Sequence, residues 1–260
     1  MWSKLKALVM SGASKPSVPA RQIIYAIGDI HGYLGLLDDL LVKIEEDAQA
    51  YPGFHKTIVF LGDYVDRGPD SKGVVERLRT LVLPDFDLTF IRGNHEEMML
   101  TFLEDISVGQ AWMRNGGRET MQSYGVFLET EDIAAIQQEF VAAVPRHQRM
   151  FLRGLDLCHS VGDYFFVHAG VRPGRPLDQQ DTEDMLWIRE PFLMSKRDHG
   201  KVVVHGHSIN YEPEFYPDDI HPRRIGIDTG AYKNGVLTCL ALVGEERSLI
   251  QAGRPRNDQV

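Results

Sequence analysis

The sequence has few cysteines, no long apolar run and no excess of basic residues. Its two cysteines, Cys158 and Cys239, are too few among 260 residues for a disulfide framework, so a reducing cytoplasm is the expected location. No segment approaches the roughly 20 apolar residues of a membrane-spanning helix, and we expect no span. Acidic residues outnumber basic ones, 37 against 28, which argues against a basic nucleic-acid-binding face. The composition does not indicate an oligomeric state.

Hydrophobic patterning predicts a single α/β domain. Three β-branched apolar runs, at 23–27, 57–61 and 88–91, are each followed by a helical pattern. This βαβαβ alternation predicts a mainly parallel sheet covered by helices. Short turns between the later strands, over 155–251, favour an antiparallel or mixed sheet.

The other segments are an insertion within that domain and a tail at each end of the chain. Residues 107–153 carry polar helical patterns and are interpreted as a helical insertion. The Ser-, Pro- and Gly-rich start predicts a flexible tail over residues 1–20. The domain is then expected to cover 21–251, with a C-terminal tail over 252–260.

Five predicted strands end in polar segments that contain glycine or stand next to it. The segments are Gly28-Asp29-Ile30-His31-Gly32, Gly62-Asp63-Tyr64-Val65-Asp66-Arg67-Gly68, Arg92-Gly93-Asn94-His95-Glu96, His168-Ala169-Gly170 and His205-Gly206-His207. Ligands of open α/β sheets bind beyond the carboxyl ends of the strands, so we expect these segments to converge there. Each of these residue types is common in turns or on surfaces when it occurs alone. Their joint occurrence at five strand ends is what indicates a site.

The converging segments offer carboxylate, imidazole and amide ligands for metal ions. The candidates are Asp29, His31, Asp63, Asn94, His168 and His207. This donor set suits Mn²⁺, Fe or Zn²⁺ better than a metal that prefers thiolates. Six ligands are too many for one open catalytic ion and are about right for two, which a shared carboxylate holds roughly 3.5–4 Å apart. Asp63 is the candidate for that shared carboxylate.

Other hydrolytic chemistries do not fit the spacing of this chain. Six positions after Cys158 and Cys239, where a cysteine phosphatase needs arginine, stand Tyr164 and Glu245. The zinc-peptidase pattern that begins at His95 has Met99 in place of its second histidine. A G-x-S-x-G elbow and a G-x-x-x-x-G-K-[ST] phosphate loop do not occur.

In order and spacing, the five segments resemble the motif set of the PPP family of metallophosphatases, the Ser/Thr protein phosphatases. The resemblance covers about residues 22–243. Two further stretches, Trp112-Met113-Arg114-Asn115-Gly116-Gly117 and Leu186-Trp187-Ile188-Arg189-Glu190, resemble the compact bacterial and phage members. The resemblance implies a calcineurin-like metallophosphoesterase fold, with mixed β-sheets sandwiched by helices.

The resemblance also implies a role for each matching residue. One metal ion would be held by Asp29, His31 and Asp63, and the second by Asp63, Asn94, His168 and His207. His95 would be the general acid and Asp66 its orienting partner. The phosphate-binding arginines would be Arg67, Arg92 and Arg189.

We therefore expect a phosphomonoesterase with two divalent ions, Mn²⁺ first and Fe or Zn²⁺ as alternatives. Its expected substrate is phosphoserine or phosphothreonine in proteins, attacked directly by a metal-bound hydroxide between the ions. One alternative is a symmetrical diadenosine tetraphosphate hydrolase, a family that shares these motifs but often has Gln at the position of His31. A catalytically dead phosphoprotein-binding module is disfavoured because no expected ligand or acid is missing.

Overall fold

The computed structural model describes residues 15–127, 131–218 and 223–254, and these form two five-stranded sheets with helices. The strands are β1 (Gln22–Ile27), β2 (His55–Phe60), β3 (Phe86–Phe90), β4 (Cys158–Val161), β5 (Tyr164–Val167), β6 (Val202–His205), β7 (Glu214–Tyr216), β8 (Arg224–Gly226), β9 (Val236–Val243) and β10 (Glu246–Gly253). The α-helices are α1 (Leu34–Ala48), α2 (Ser71–Arg79), α3 (Asn94–Phe102), α4 (Gly109–Trp112), α5 (Arg118–Ser123), α6 (Ile133–Ala143), α7 (Arg146–Arg153), α8 (Thr182–Trp187), α9 (Glu190–Leu193) and α10 (Ala231–Asn234). No helix within these described ranges is long and apolar enough to cross a membrane.

The first sheet has the strand order β10-β9-β1-β2-β3. Strands β1, β2 and β3 are parallel, as the βαβαβ pattern predicts, and β9 and β10 extend the sheet in antiparallel orientation. β1 lies in the middle and is buried on both faces from Ile23 onward, so residues 23–27 are apolar or aromatic. Its alternate side chains serve different cores: Ile23 and Tyr25 face the helical side, whereas Ile24 and Ala26 face the second sheet.

The second sheet has the order β4-β5-β6-β8-β7, with β5, β6 and β8 parallel and the two outer strands antiparallel. One buried cluster joins the two sheets. It contains Phe166, Val204 and Ile225 of the second sheet together with Val59 of β2 and Leu61, which follows β2. Two sheets that share an apolar interface, with helices outside, confirm the expected mixed β-sheets sandwiched by helices.

Residues 107–153, interpreted as a helical insertion, contain α4 to α7. Between α4 and α5 the chain passes through a kinked turn, Met113–Gly117, in which Gly116 has non-helical backbone angles. Trp112 and Phe140 of the insertion are fully buried, and their rings lie 5.3 Å apart beside Phe102 of α3. The insertion is thus packed onto the helical side of the first sheet.

The structure shifts several boundaries. Residues 15–20, expected in the flexible tail, are docked: Val18 is buried, its N–H donates to the carbonyl of Gly244, and the Ser17 N–H donates to Asp163. β10 runs to Gly253, two residues into the expected C-terminal tail, because it pairs with β9 along its whole length. Residues 1–14 and 255–260 of the two tails lie outside the described residues.

Two strand predictions also change. The predicted strand 155–159 begins only at Cys158, since Asp156 instead forms a single bridge to Ile91. β7 was not predicted, because three half-buried residues are too short a pattern to recognise.

Candidate metal centre

The polar segments after five strands meet at one edge of the two sheets. The backbone N–H groups of Ile30 and His31 donate to the carbonyl of Asp63, over 3.1 and 2.8 Å, which ties the segment after β1 to the segment after β2. The Gly206 N–H donates to the carbonyl of His168 over 2.8 Å and ties the segments after β6 and β5. The expected convergence is therefore observed.

Backbone strain is concentrated in these segments. Among the described residues, six that are not glycine have positive φ, and all but Arg21 are predicted site residues: His31, Asp63, Asp66, Arg67 and His207. Left-handed backbone is costly for residues with a Cβ and persists where the surroundings enforce it. Here the left-handed backbone directs the side chains of these site residues toward the centre where the polar segments meet.

Asp63 lies where two clusters of possible metal ligands meet. Its carboxylate forms one cluster with His31 and His95 and a second with His168 and His207, and the ligand atoms within each cluster lie within 4.8 Å of one another. His31 Nε2 is 3.5 Å from Asp63 Oδ2, and His168 Nε2 is 3.3 Å from Asp63 Oδ1. One carboxylate thus presents a different oxygen to each cluster, the arrangement that a ligand shared by two ions needs.

The hydrogen bonds of two imidazoles turn a ring-nitrogen lone pair toward the ligand clusters. His168 Nδ1 donates to the carbonyl of Leu61 over 2.8 Å, so in the neutral ring Nε2 carries a lone pair. That lone pair faces Asn94 Oδ1 at 2.9 Å and Asp63 Oδ1 at 3.3 Å, both of which are acceptors as well. His31 Nδ1 likewise donates to a backbone carbonyl over 2.8 Å, and its Nε2 lone pair faces Arg67 Nη1 at 3.2 Å and Asp63 Oδ2 at 3.5 Å. His168 Nε2 and Asn94 Oδ1 face each other as two buried acceptors, which fits a cation, and backbone carbonyls commonly orient metal-binding histidines in this way.

Burial and mutual repulsion act on the carboxylates. Burial, then Asp228 and Asp63, raise the pKa of Asp29, and burial raises the pKa of Asp228 to about 6. Burial opposes ionisation of Asp63 too, but the surrounding imidazoles bring its pKa below its usual value. Several buried acids at one point favour a bound cation, because buried charge needs a partner.

Burial lowers the pKa of His31, His168 and His207, which keeps these rings neutral and able to bind a metal.

Asp29 belongs to neither cluster around Asp63. Its buried carboxylate instead accepts the backbone N–H of His207 over 2.9 Å, and the charge of Asp228 helps to raise its pKa. The structure thus places Asp29 against the segment after β6, outside the two clusters around Asp63.

Two glycines leave room for the carboxylates. A Cβ on Gly93 would lie 2.1 Å from Asp63 Oδ1, and one on Gly206 would lie 2.0 Å from Asp29 Oδ1. Neither position tolerates a side chain while the carboxylate stays where it is. These glycines therefore serve close packing against the site rather than an unusual backbone angle.

His95 and Asp66 form a buried pair. His95 Nδ1 donates to Asp66 Oδ2 over 2.6 Å, and His95 Nε2 lies 3.8 Å from Asp63 Oδ2. Burial disfavours a charged ring, but Asp63 and Asp66 outweigh it and raise the pKa of His95 above its usual value. The imidazole is thus adapted to carry a proton next to the ligand cluster, as a general acid must.

Two of the three predicted arginines lie beside the histidines. Arg67 Nη1 is 3.2 Å from His31 Nε2, and its guanidinium lies over the ring of Tyr232, 4.6 Å from the centroid. Arg189 contacts Ser208 Oγ at 3.5 Å, and its charge helps to lower the pKa of His168 and His207. Both can provide positive charge at the cluster.

Arg92 is engaged differently. Its guanidinium donates to Glu97 over 3.1 Å and to the carbonyl of Arg153 in the insertion over 2.9 Å. Its Nε is buried and has no hydrogen-bond partner among the described residues. The contacts of Arg92 link α3 to α7, and its phosphate-binding role stays a prediction.

Sequence reasoning gave no role to Glu96. Its buried carboxylate accepts the backbone N–H groups of Gly93, Asp63, Tyr64 and Val65 over 2.7–3.2 Å. It thereby fixes the segment after β2 to the start of α3. Part of the signal was present, since Glu96 stands three positions after the N-cap residue Gly93 and accepts its backbone N–H, as the acid of a capping box does.

Asp228 and Tyr232 were also missed. Asp228 follows β8, two positions before Gly230, so it repeats the pattern of an acid after a strand and close to a glycine that marks Asp29 and Asp63. Tyr232 lines an open cavity of about 460 Å³ with Arg67 and Met113 to Gly116 of the insertion. Neither side chain follows a long apolar run, which is the signal that drew attention to the other segments.

The chain is similar to known phosphoesterases along most of its length. The family model described as calcineurin-like phosphoesterase matches residues 23–235. Serine/threonine-protein phosphatase 1 of Salmonella typhimurium is 36% identical over 223 residues, which cover 83% of this chain and 89% of that protein. The symmetrical bis(5'-nucleosyl)-tetraphosphatase of Nitrosomonas europaea is 29% identical over 70% of this chain and 59% of its own length. The cold-active protein-tyrosine phosphatase of a psychrophilic Shewanella has the same fold, with a TM-score of 0.58 at 15% identity over 90% of this chain and 82% of that one.

Proposed function

The chain belongs to the calcineurin-like phosphoesterase family, and from this membership we propose that it removes phosphate from phosphoserine and phosphothreonine in proteins. The observation that carries the proposal is the pair of ligand clusters that share Asp63, next to a buried His95–Asp66 pair. The 36% identity to a serine/threonine-protein phosphatase supports this substrate class.

The donor set fits two divalent ions. Asp63 would be shared, with His31 and Asp29 on one side and Asn94, His168 and His207 on the other. When bound, such ions supply Lewis-acid charge that neutralises phosphate oxygens and lowers the pKa of water. Manganese as the bound metal and a cytoplasmic location stay predictions from the sequence.

The chain's own groups have two tasks in the reaction. Arg67 and Arg189 place guanidinium groups beside the histidines, where they can hydrogen-bond to phosphate oxygens as charge builds up on them. The serine or threonine alkoxide is a poor leaving group and needs a proton. His95, protonated and held by Asp66 through Nδ1, can donate that proton from Nε2.

Hydrolysis of dinucleoside polyphosphates is the second candidate. Relatives named bis(5'-nucleosyl)-tetraphosphatases are 25–29% identical to the chain. The cavity beside Arg67 is about 460 Å³ and includes the aromatic ring of Tyr232 and the exposed Arg114, features that suit a nucleotide as well as a peptide. His31, where symmetrical hydrolases often have Gln, favours the protein phosphatase.

The test compares kcat/KM for a phosphoserine peptide with kcat/KM for diadenosine tetraphosphate, on the same Mn²⁺-loaded protein. Asp63→Asn, purified in parallel, serves as the control for contaminating phosphatases. We expect the wild-type protein to prefer the phosphopeptide and the variant to be inactive on both. A clear preference for the dinucleotide would refute the proposal in favour of the second candidate.

A further inference from the structure

The stretch Trp112 to Gly117, which resembles the compact bacterial and phage family members, lies beside the His95–Asp66 pair rather than in the ligand clusters. The indole Nε1 of Trp112 donates to Asp66 Oδ2 over 2.8 Å, the same oxygen that accepts from His95 Nδ1. The Thr120 hydroxyl donates to Asp66 Oδ1 over 2.6 Å. Both carboxylate oxygens of Asp66 are thus held by side chains of the helical insertion.

The backbone of Asp66 is held from the same side. Its N–H lies 2.8 Å from Thr120 Oγ1 and 2.9 Å from Ser71 Oγ, and these two hydroxyls are 2.9 Å apart. Asp66 has a φ of 73°, which a residue with a Cβ adopts only where its surroundings enforce it. Asp66, Ser71, Trp112 and Thr120 are fully buried, so water does not replace these bonds.

The glycines of the motif are explained by the same arrangement. A Cβ on Gly117 would lie 2.6 Å from the Trp112 ring, so glycine is needed for the indole to sit over it. Gly116 has a φ of 106°, its carbonyl accepts the backbone N–H of Arg67 over 3.1 Å, and a Cβ there would lie 2.6 Å from Arg67. Both lie in the kinked turn Met113–Gly117, where Gly116 has non-helical backbone angles.

We propose that Trp112 and Thr120 are positioning residues, which fix the Asp66 carboxylate and, through it, the orientation of the His95 imidazole. The inference rests on the proposed function in one respect, the role of His95 as the general acid. The insertion then has a task in catalysis: it orients the proton donor, although neither residue is among the ligands or the groups expected to touch the phosphate. A positioning role predicts that losing either bond harms reactions that need the proton and spares those that do not.

The test uses two esters that differ in their leaving groups, a phosphoserine peptide and p-nitrophenyl phosphate, whose leaving group needs little protonation. Trp112→Phe removes the indole N–H and keeps an aromatic ring, and Thr120→Val removes the hydroxyl at nearly constant shape. We expect each to lower kcat for the peptide by about tenfold, the effect of one hydrogen bond to a charged group, and kcat for the aryl ester by less than about twofold. Thr120→Ser, which retains the hydroxyl, should restore the wild-type ratio.

Phe140→Leu is the matched control, because Phe140 packs against Trp112 at 5.3 Å but makes no hydrogen bond with Asp66. It should lower the melting temperature without changing the ratio of the two rates. In a His95→Asn background, Trp112→Phe should cause no further loss, since residues that act as one unit are not additive.

Two results would overturn different parts of the account. If His95→Asn changes the ratio of the two rates but Trp112→Phe and Thr120→Val lower both rates equally, the positioning role is wrong and the acid assignment stands. If His95→Asn lowers both rates equally, the acid assignment fails and the positioning role fails with it. Should Trp112→Phe not fold, Thr120→Val and Thr120→Ser decide the question.

Discussion

Replacing Gly93 by alanine is expected to damage the site through a single methyl group. Gly93 has φ −94° and ψ 171°, which alanine adopts readily, so the substitution causes no backbone strain. The new Cβ would lie 2.1 Å from Asp63 Oδ1 and 2.4 Å from the Asp63 backbone nitrogen. The perturbation is therefore steric and acts on the residue that both ligand clusters share.

The magnitude follows from the distance. Contacts of a Cβ essentially never fall under 3.0 Å, so the Asp63 carboxylate must move by about 1 Å. A misplacement of that size at a catalytic centre lowers the rate by about 100-fold. Overpacking of the surrounding structure should also lower the free energy of unfolding by about 1–3 kcal/mol.

The assay measures initial rates on a phosphopeptide across a Mn²⁺ titration, together with the melting temperature. Gly35→Ala is the matched control, because Gly35 lies in α1 and a Cβ there meets no atom within 4 Å. It should keep wild-type activity and gain up to about 1 kcal/mol in stability, since alanine is the better helix former. If Gly93→Ala keeps its rate within about threefold and its apparent metal affinity unchanged, the position of Asp63 does not matter as we describe.

Two further predictions concern the acid and an ion pair away from the site. His95→Asn should lower kcat on a phosphoserine peptide by about 100-fold and kcat on p-nitrophenyl phosphate by far less, because general acid catalysis contributes about 10²–10⁴-fold where the leaving group needs a proton. Glu214→Gln should lower the free energy of unfolding at pH 7 by about 1–2 kcal/mol, because it leaves the buried guanidinium of Arg224 without its carboxylate. Hydrogen bonding from Arg224 lowers the pKa of Glu214, so this stabilisation is fully present above pH 4.5, the ordinary pKa of Glu, and fades as the pH falls below it. Denaturant unfolding of both proteins between pH 3 and 7 checks it, and a difference that persists unchanged at pH 3 would contradict it.

The candidate ligand set could be predicted from the sequence because each candidate follows a strand. Parallel strands β1 and β2 end at the same edge, so the positions of Asp29, His31 and Asp63 already predict that they converge. The order of β9 and β10 in the first sheet was not predictable in this way. It depends on long-range pairing of strands that follow β1 by some 200 residues and that carry no local signal for their partner.

The hydrogen bonds that organise the site were harder to foresee. Trp112 and Thr120 lie about 50 residues from Asp66 in a helical segment, and periodicity marks them only as buried. The place of Asp228 at the site follows from the pairing of β8 with β6, which the sequence alone does not predict. Such partners are determined by how the insertion and the second sheet dock, which side-chain patterns within one segment do not encode.

The central claim is that Asp63 holds two metal ions at one active centre. Metal-free protein titrated with Mn²⁺ and analysed by inductively coupled plasma mass spectrometry should bind about two equivalents per chain, one for each ligand cluster, with activity complete only at the second. Asp63→Asn should lose both equivalents, whereas Asp85→Asn, an exposed acid before β3, should bind as the wild type does. Full activity with a single equivalent, or two equivalents retained by Asp63→Asn, would contradict the account.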